Sequence, residues 1–153
     1  MATIYLGIGS NIGDKEANCL EVIERLNKIK DVKVVRRSAF YKTKPVGGPP
    51  QDDYLNGVVE ISTDLTPRNC LDVVKGIEND MGRMPRGKDH PREIDIDILF
   101  YDNSVERSEY LEIPHPRMHK REFVLRGMNE LVPDLVHPVL KKTIGELWRS
   151  LEQ

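Results

Sequence analysis

The sequence predicts an α+β domain: a ferredoxin-like βαββαβ core with an antiparallel sheet, helices packed on it, and a C-terminal extension. The hydrophobic period switches between two and 3.6 along the chain in the order strand, helix, strand, strand, helix, strand. A length of 153 residues suits one domain, expected to span 1–153, and can bury about 68–70% of its unfolded surface without disulfides or metals. No repeat, low-complexity tract or linker interrupts it.

The elements follow in order. Thr3 to Ile8 is short and rich in β-formers, and it runs into a turn at Gly7-Ile8-Gly9-Ser10-Asn11-Ile12-Gly13-Asp14. Asp14 is a good N-cap for a helix reaching Lys30, with Leu20, Ile23, Leu26 and Ile29 on one face. Val32 to Tyr41 reads as a strand. Thr43 to Asp53 carries Pro45, Gly47, Gly48, Pro49 and Pro50, a long loop of the kind that tends to be functional. Tyr54 to Thr63 is a second β-branched strand. Thr66-Pro67 starts a helix whose Leu71, Val74, Ile77 and Met81 repeat at helical spacing until Gly82. A basic loop from Arg83 to Arg92 leads into a strand from Glu93 to Tyr101. Beyond it lie a hairpin-like segment near Val105 to Ile113, a helix after His119, and a last helix with the capping box Thr143-Ile144-Gly145-Glu146.

Composition excludes several classes. Hydrophobic residues make up 39% and charged residues 31%, and the net charge is −2, so no global basic field points to nucleic acid or an anionic membrane. No apolar run approaches the roughly 20 residues of a membrane span, and the N-terminus lacks a signal-peptide pattern. The two cysteines, Cys19 and Cys70, each fall in a helical apolar pattern and read as buried thiols. A reducing cytoplasm is the expected setting.

The most informative segment is Ile94-Asp95-Ile96-Asp97-Ile98-Leu99-Phe100-Tyr101. In a strand, Asp95 and Asp97 share a face while Ile94, Ile96 and Ile98 point into the core. Their Cα atoms should lie about 6.6 Å apart. Convergent carboxylates can hold one hard divalent cation, or two at about 3.5–4 Å separation; a solvated sheet face is the alternative. Basic clusters flank the pair. Arg83, Arg86, Lys88 and Arg92 stand against Asp89 alone, and Arg117, Lys120, Arg121 and Arg126 against Glu122 alone. Arg binds phosphate oxygens bidentately and Lys adds a point charge, so the pattern fits a magnesium–polyphosphate site.

His115 lies between Pro114 and Pro116, which prevent the helix that zinc ligation with His119 would need; donation to a phosphate fits better. His90 and His137 read as surface or structural. The Gly7–Asp14 turn lacks both the G-K-[S/T] ending and the dinucleotide fingerprint, so a structural turn with a helix cap is expected, and a nucleotide site here is built without a P-loop.

These residues fall into six motifs: Gly9-Ser10-Asn11-x-Gly13, Phe40-Tyr41-x-Thr43, Tyr54-Leu55-Asn56, Gly82-Arg83, Pro91-Arg92-x-x-Asp95-x-Asp97-Ile98-Leu99, and Pro114-His115-Pro116-Arg117-Met118. In this order, from about residue 4 to 148, the chain resembles the 6-hydroxymethyl-7,8-dihydropterin pyrophosphokinases of folate biosynthesis. The resemblance implies transfer of the terminal diphosphate of ATP to the pterin hydroxymethyl oxygen, with release of AMP. It implies that Asp95 and Asp97 hold two Mg2+ ions bridging the ATP phosphates. Arg83, Arg86, Arg92, His115 and Arg121 would contact the triphosphate, Arg83 and Arg92 as part of the catalytic set. Lys75 and Glu78 would lie nearer the nucleoside, and Ile98 would also bind ATP. Asn56 would read the pterin's amide edge with backbone groups of Thr43 and Val46, and Tyr54 and Phe123 would sandwich its ring. The partners are then ATP and a pterin, with no nucleic acid or membrane, and the chain is expected to be a monomer.

Asp89-His90 stands where the family often has an aromatic residue and Gly, and with Pro85 and Gly87 in the same loop the counterpart of the second loop arginine is Arg86 or no residue. The same strand order describes an RNA-recognition module, but Leu55 to Ile61 offers no aromatic for base stacking and the acidic pair would repel a phosphate backbone. A non-catalytic regulatory domain of this topology would have no need for two basic loops beside two carboxylates.

Overall fold

The computed structural model describes residues 1–44, 49–82 and 93–151. In chain order the elements are β1 (Ala2–Ser10), α1 (Lys15–Asn27), β2 (Val32–Arg37), β3 (Tyr41–Thr43), β4 (Tyr54–Thr63), α2 (Pro67–Asp80), β5 (Asp95–Tyr101), β6 (Glu106–Arg107) and β7 (Glu112–Ile113). A 3-10 turn at Met118–Lys120, then α3 (Glu122–Leu131) and α4 (Ile144–Leu151), complete the chain. The main sheet runs β2-β4-β1-β5 with every pairing antiparallel, and β3 pairs β4 beyond a break from β2. This is the ferredoxin-like strand order, as expected.

Two apolar layers sandwich the sheet. On one face Cys19, Val22 and Leu26 of α1 and Cys70, Val74 and Ile77 of α2 bury Ile4, Leu6, Ile8, Ile96 and Ile98. On the other, Val124, Leu125 and Met128 of α3 and Ile144 and Leu147 of α4 bury Tyr5, Val58, Leu99 and Phe100. The C-terminal extension is therefore the second half of the core. It also covers the sheet face on which an RNA-recognition module would stack bases.

Local chemistry explains the boundaries. Asp14 accepts the Ala17 N–H at 3.1 Å and starts α1, while Thr66 accepts from Asn69 at 3.2 Å and starts α2. Gly82 leaves α2 with φ +83°. The Thr143–Glu146 capping box forms reciprocally, at 3.0 and 3.1 Å.

Three expectations are corrected. Leu20 is exposed, because the buried stripe of α1 runs Cys19–Val22–Leu26 with Ile23 at its margin, and the helix expected to reach Lys30 ends at Asn27, leaving Ile29 to pack from beyond it. The strand expected from Val32 to Tyr41 breaks at 38–40: Ser38 takes the Val58 N–H on its Oγ at 2.9 Å, and Phe40 lies over Gly57, where a Cβ would approach its ring to 2.8 Å. The Gly7–Ser10 stretch, expected as a turn, is the end of β1 and pairs with β4 on one side; Gly7 and Gly9 also pair with β5 on the other.

Candidate active site

β1 is central, and its Gly9 is in register with Asn56 of β4 on one side and Asp95 of β5 on the other; Tyr41 of β3 continues the row beyond Asn56. One step along, Gly7 stands between Val58 and Asp97. Paired residues share a face, so Asn56, Asp95 and Asp97 open on the same side of the sheet. With neighbouring strands about 4.8 Å apart, Asn56 and Asp95 are separated by about 10 Å of glycine floor. A Cβ at Gly9 would overlap Asn56 Oδ1 and come within 3.5 Å of Tyr54.

At one end of this row, Asn56 is buried and its Nδ2 donates to Thr43 Oγ1 at 2.5 Å, which fixes the amide's orientation. Tyr54 opens β4 opposite Thr43, and the half-buried Phe123 stands in the first turn of α3. At the other end, Asp95 and Asp97 are half-buried while Ile94, Ile96 and Ile98 are buried on the opposite face, as the alternation predicts. Burial, and then the charge of Asp95, push the Asp97 carboxyl up to about 6, with Arg121 opposing the rise from 3.7 Å. Like charges brought together on a partly desolvated face favour a bound cation.

Glu78 serves β5 from beneath. It is 2% exposed, accepts the Ile96 N–H at 2.8 Å, and pairs with Lys75 at 3.5 Å. That geometry supports the carboxylate strand from the side of α2. The Ile98 side chain is buried, so any contact with a ligand runs through its backbone on the edge strand. His115 is anchored by its N–H to Leu99 O at 3.0 Å, and its Nδ1 accepts the Arg117 N–H at 3.2 Å. Burial, then Arg121 and Arg117, push the imidazole down to about 4. It is neutral at pH 7, with Nε2 carrying the proton and available as a donor. His137 is structural, accepting the Val139 and Leu140 N–H groups on Nδ1 against the Phe100 ring.

Val46, Arg83, Arg86 and Arg92 lie outside the described residues, as do Lys88, Asp89 and His90. Among the described residues no group of three or more His, Cys, Asp and Glu side chains is arranged to hold a metal ion. Two aspartates suffice for magnesium, which keeps several waters and takes further oxygens from substrate phosphates.

The sequence predicts only a structural turn over Gly7–Asp14 with a helix cap at Asp14, and the side chains from Ser10 to Asn18 do more. Asn11 donates to Gln51 Oε1 at 2.7 Å and to Asp52 O at 3.2 Å, and Lys15 reaches Asp53 O at 2.7 Å. Asn18 donates to Ser10 Oγ, Ile12 O and Glu93 O, at 3.2, 3.0 and 3.3 Å. The segment thereby ties the approach to β4 and the entry to β5 onto one helix start. The two amides Asn11 and Asn18, set on either side of the Asp14 cap, are the signal in the sequence.

The 7,8-dihydro-6-hydroxymethylpterin-pyrophosphokinase family model matches residues 5–133. A 2-amino-4-hydroxy-6-hydroxymethyldihydropteridine pyrophosphokinase of Aquifex aeolicus is 40% identical over 146 residues, covering 95% of this chain and 90% of that one. The protein of the same name from Methylorubrum extorquens is 44% identical over 136 residues, covering 89% and 86%. The folic acid synthesis protein FOL1 of Dictyostelium discoideum is 40% identical over 148 residues, 97% of this chain but only 22% of that one. Among solved structures, the wild-type Plasmodium falciparum HPPK-DHPS with pteroate superposes with a TM-score of 0.78 at 19% identity, over 97% of this chain and 42% of that one. That likeness is one of fold. On the match of the family model and the identity to full-length relatives, this chain belongs to the 7,8-dihydro-6-hydroxymethylpterin-pyrophosphokinase family.

Proposed function

We propose that the chain transfers the diphosphate of ATP to the hydroxymethyl group of 6-hydroxymethyl-7,8-dihydropterin, giving AMP and the pterin diphosphate, as a step of folate biosynthesis. The observation that carries this reading is the sheet row. A fixed amide at Asn56 and a carboxylate pair at Asp95 and Asp97 face the same space, about 10 Å apart across Gly9. That separation suits a flat bicyclic ring at one end with its hydroxymethyl arm directed at a polyphosphate at the other.

Attack on the β-phosphorus needs in-line placement and neutralised charge more than a covalent protein nucleophile. Asp95 and Asp97 would hold two Mg2+ ions, and the raised Asp97 carboxyl fits a site that gains by taking up cations. Bound magnesium supplies neutralisation of the phosphate charge and acidification of the attacking hydroxyl. Arg121 stands beside Asp97 to meet phosphate oxygens, and neutral His115 donates from Nε2. Arg83 and Arg92, with Arg86, would complete the charge around the triphosphate. Tyr54 and Phe123 would hold the pterin ring, and Asn56 its amide edge with backbone groups of Thr43 and Val46. Residues 1–153 would act as one domain and as a monomer. Two buried thiols, raised to about 12 at Cys19 and about 11 at Cys70, suit a reducing cytoplasm.

Nucleotide analysis after mixing protein, ATP, magnesium and the pterin tests the reading. AMP forming in step with a pterin diphosphate, and only with magnesium, is expected; Asp95→Ala and Asp97→Ala should abolish it in folded protein. Full turnover by either variant would overturn the metal assignment, and ADP as product would overturn the transfer chemistry.

A further inference from the structure

We infer that Glu130, acting with Arg126 through Tyr41, is a positioning residue that sets the geometry of the pterin pocket. The inference rests on the reading above, in which Asn56 and Thr43 face the pterin. β3 is three residues long and, among the described residues, pairs with β4 alone in the sheet. So short a strand with one neighbour is held weakly by its own ladder. Its Thr43 is nevertheless the acceptor that orients the Asn56 amide.

The missing restraint comes from α3. The Glu130 carboxylate accepts the Ala39 N–H on both oxygens, at 3.1 and 3.0 Å, and also accepts the Tyr41 hydroxyl. One turn earlier, the Arg126 guanidinium lies 4.2 Å over the Tyr41 ring. Between them Gly127 lets the helix come close: a Cβ there would stand 2.6 Å from Val58 Cγ2 and 3.3 Å from Ser38 Oγ. Three positions on one side of α3 therefore grip the segment from Ser38 to Tyr41. Tyr41 is in register with Asn56, and Thr43 with Tyr54.

Phe123 lies in the first turn of the same helix, about two turns before Glu130. One rigid element thus carries the aromatic residue expected on one side of the pterin and fixes the strand that orients the amide on the other. Burial and Glu130 push the Tyr41 hydroxyl up to about 12, so it stays a donor at any working pH. Glu130 is exposed and belongs to neither apolar layer, so its replacement leaves both cores intact.

The test is steady-state kinetics with ATP and the pterin varied separately. Glu130→Ala and Tyr41→Phe should raise the pterin KM about tenfold while kcat and the ATP KM stay within about twofold. Glu130→Gln, whose amide oxygen still accepts both donors, should recover most of the pterin affinity. A merely structural role would lower the folded fraction, and so kcat, with both KM values unchanged. That pattern, or an unchanged pterin KM in Glu130→Ala, would overturn the inference. Wild-type protein that makes no AMP would overturn the underlying reading, and this shows before any variant is compared.

Discussion

The Arg121 guanidinium lies 3.7 Å from the Asp97 carboxylate, yet that carboxyl is pushed up to about 6 from 3.8 by burial and by Asp95. One cation at that distance does not compensate two carboxylates on the same strand face. The folded-state pKa lies above the unfolded one, so ionising Asp97 costs stability above about pH 6 and nothing below about pH 4. Asp97→Asn should therefore stabilise metal-free protein at pH 7.5 by about 1 kcal/mol, allowing for solvent screening of a partly exposed carboxylate. Scanning calorimetry should show roughly a 2–4 °C rise in Tm that disappears at low pH. A lower Tm in the variant at pH 7.5 would contradict the electrostatic account.

His115 carries the opposite sign. Its imidazole is pushed down to about 4 by burial and by Arg121 and Arg117, so the unfolded chain binds the proton more tightly. Its contribution to stability is complete above about pH 6.5 and is lost as pH falls through 6.5 toward 4. Imidazole NMR should find the neutral Nε2–H form at pH 7 and a midpoint well below 6. Titration at the ordinary value near 6.5 would show that the ring is neither buried nor crowded by arginine.

Two glycines give opposite predictions for the same substitution. Gly127→Ala drives a Cβ to 2.6 Å from Val58 Cγ2 and should cost about 1–3 kcal/mol. Gly76→Ala in α2 meets nothing within 4 Å and should add about 0.4–1 kcal/mol. Urea unfolding of the pair reads both; equal effects would mean that α3 does not approach β4 so closely.

Thr43→Val keeps the side chain's shape and removes the acceptor for Asn56 Nδ2. Pterin affinity should fall about tenfold, within the range of an unsatisfied buried amide, and ATP affinity should not change. Equilibrium titration with each ligand separates the two. Loss of ATP binding would place Thr43 elsewhere in the reaction.

Much of this was legible in sequence because the strongest signals were periodic. Ile94 to Ile98 alternates cleanly before the continuous apolar ending at Leu99 and Phe100, and the structure buries the isoleucines and leaves the aspartates on the open face. The capping residues Asp14, Thr66 and Thr143 marked three helix starts. What failed were competitions that only packing decides. Leu20 is as apolar as Leu26, but the 100° step between neighbours lets one stripe face the sheet, and Cys19 takes that place. Gly7 and Gly9 read as turn residues because glycine weakens a strand, yet here they clear the sheet between Asn56 and the carboxylates. Glu130 gave no signal, since an exposed carboxylate near a helix end looks like any solvated charge until Tyr41 is placed beside it.

The central claim is that an intact diphosphate moves. ATP labelled at the β-phosphorus tests this most directly, with magnesium and 6-hydroxymethyl-7,8-dihydropterin present. The label should appear wholly in the pterin product while label at the α-phosphorus stays in AMP. Retention of β-label in the nucleotide, with only γ-label passing to the pterin, would mean single phosphoryl transfer and contradict the account.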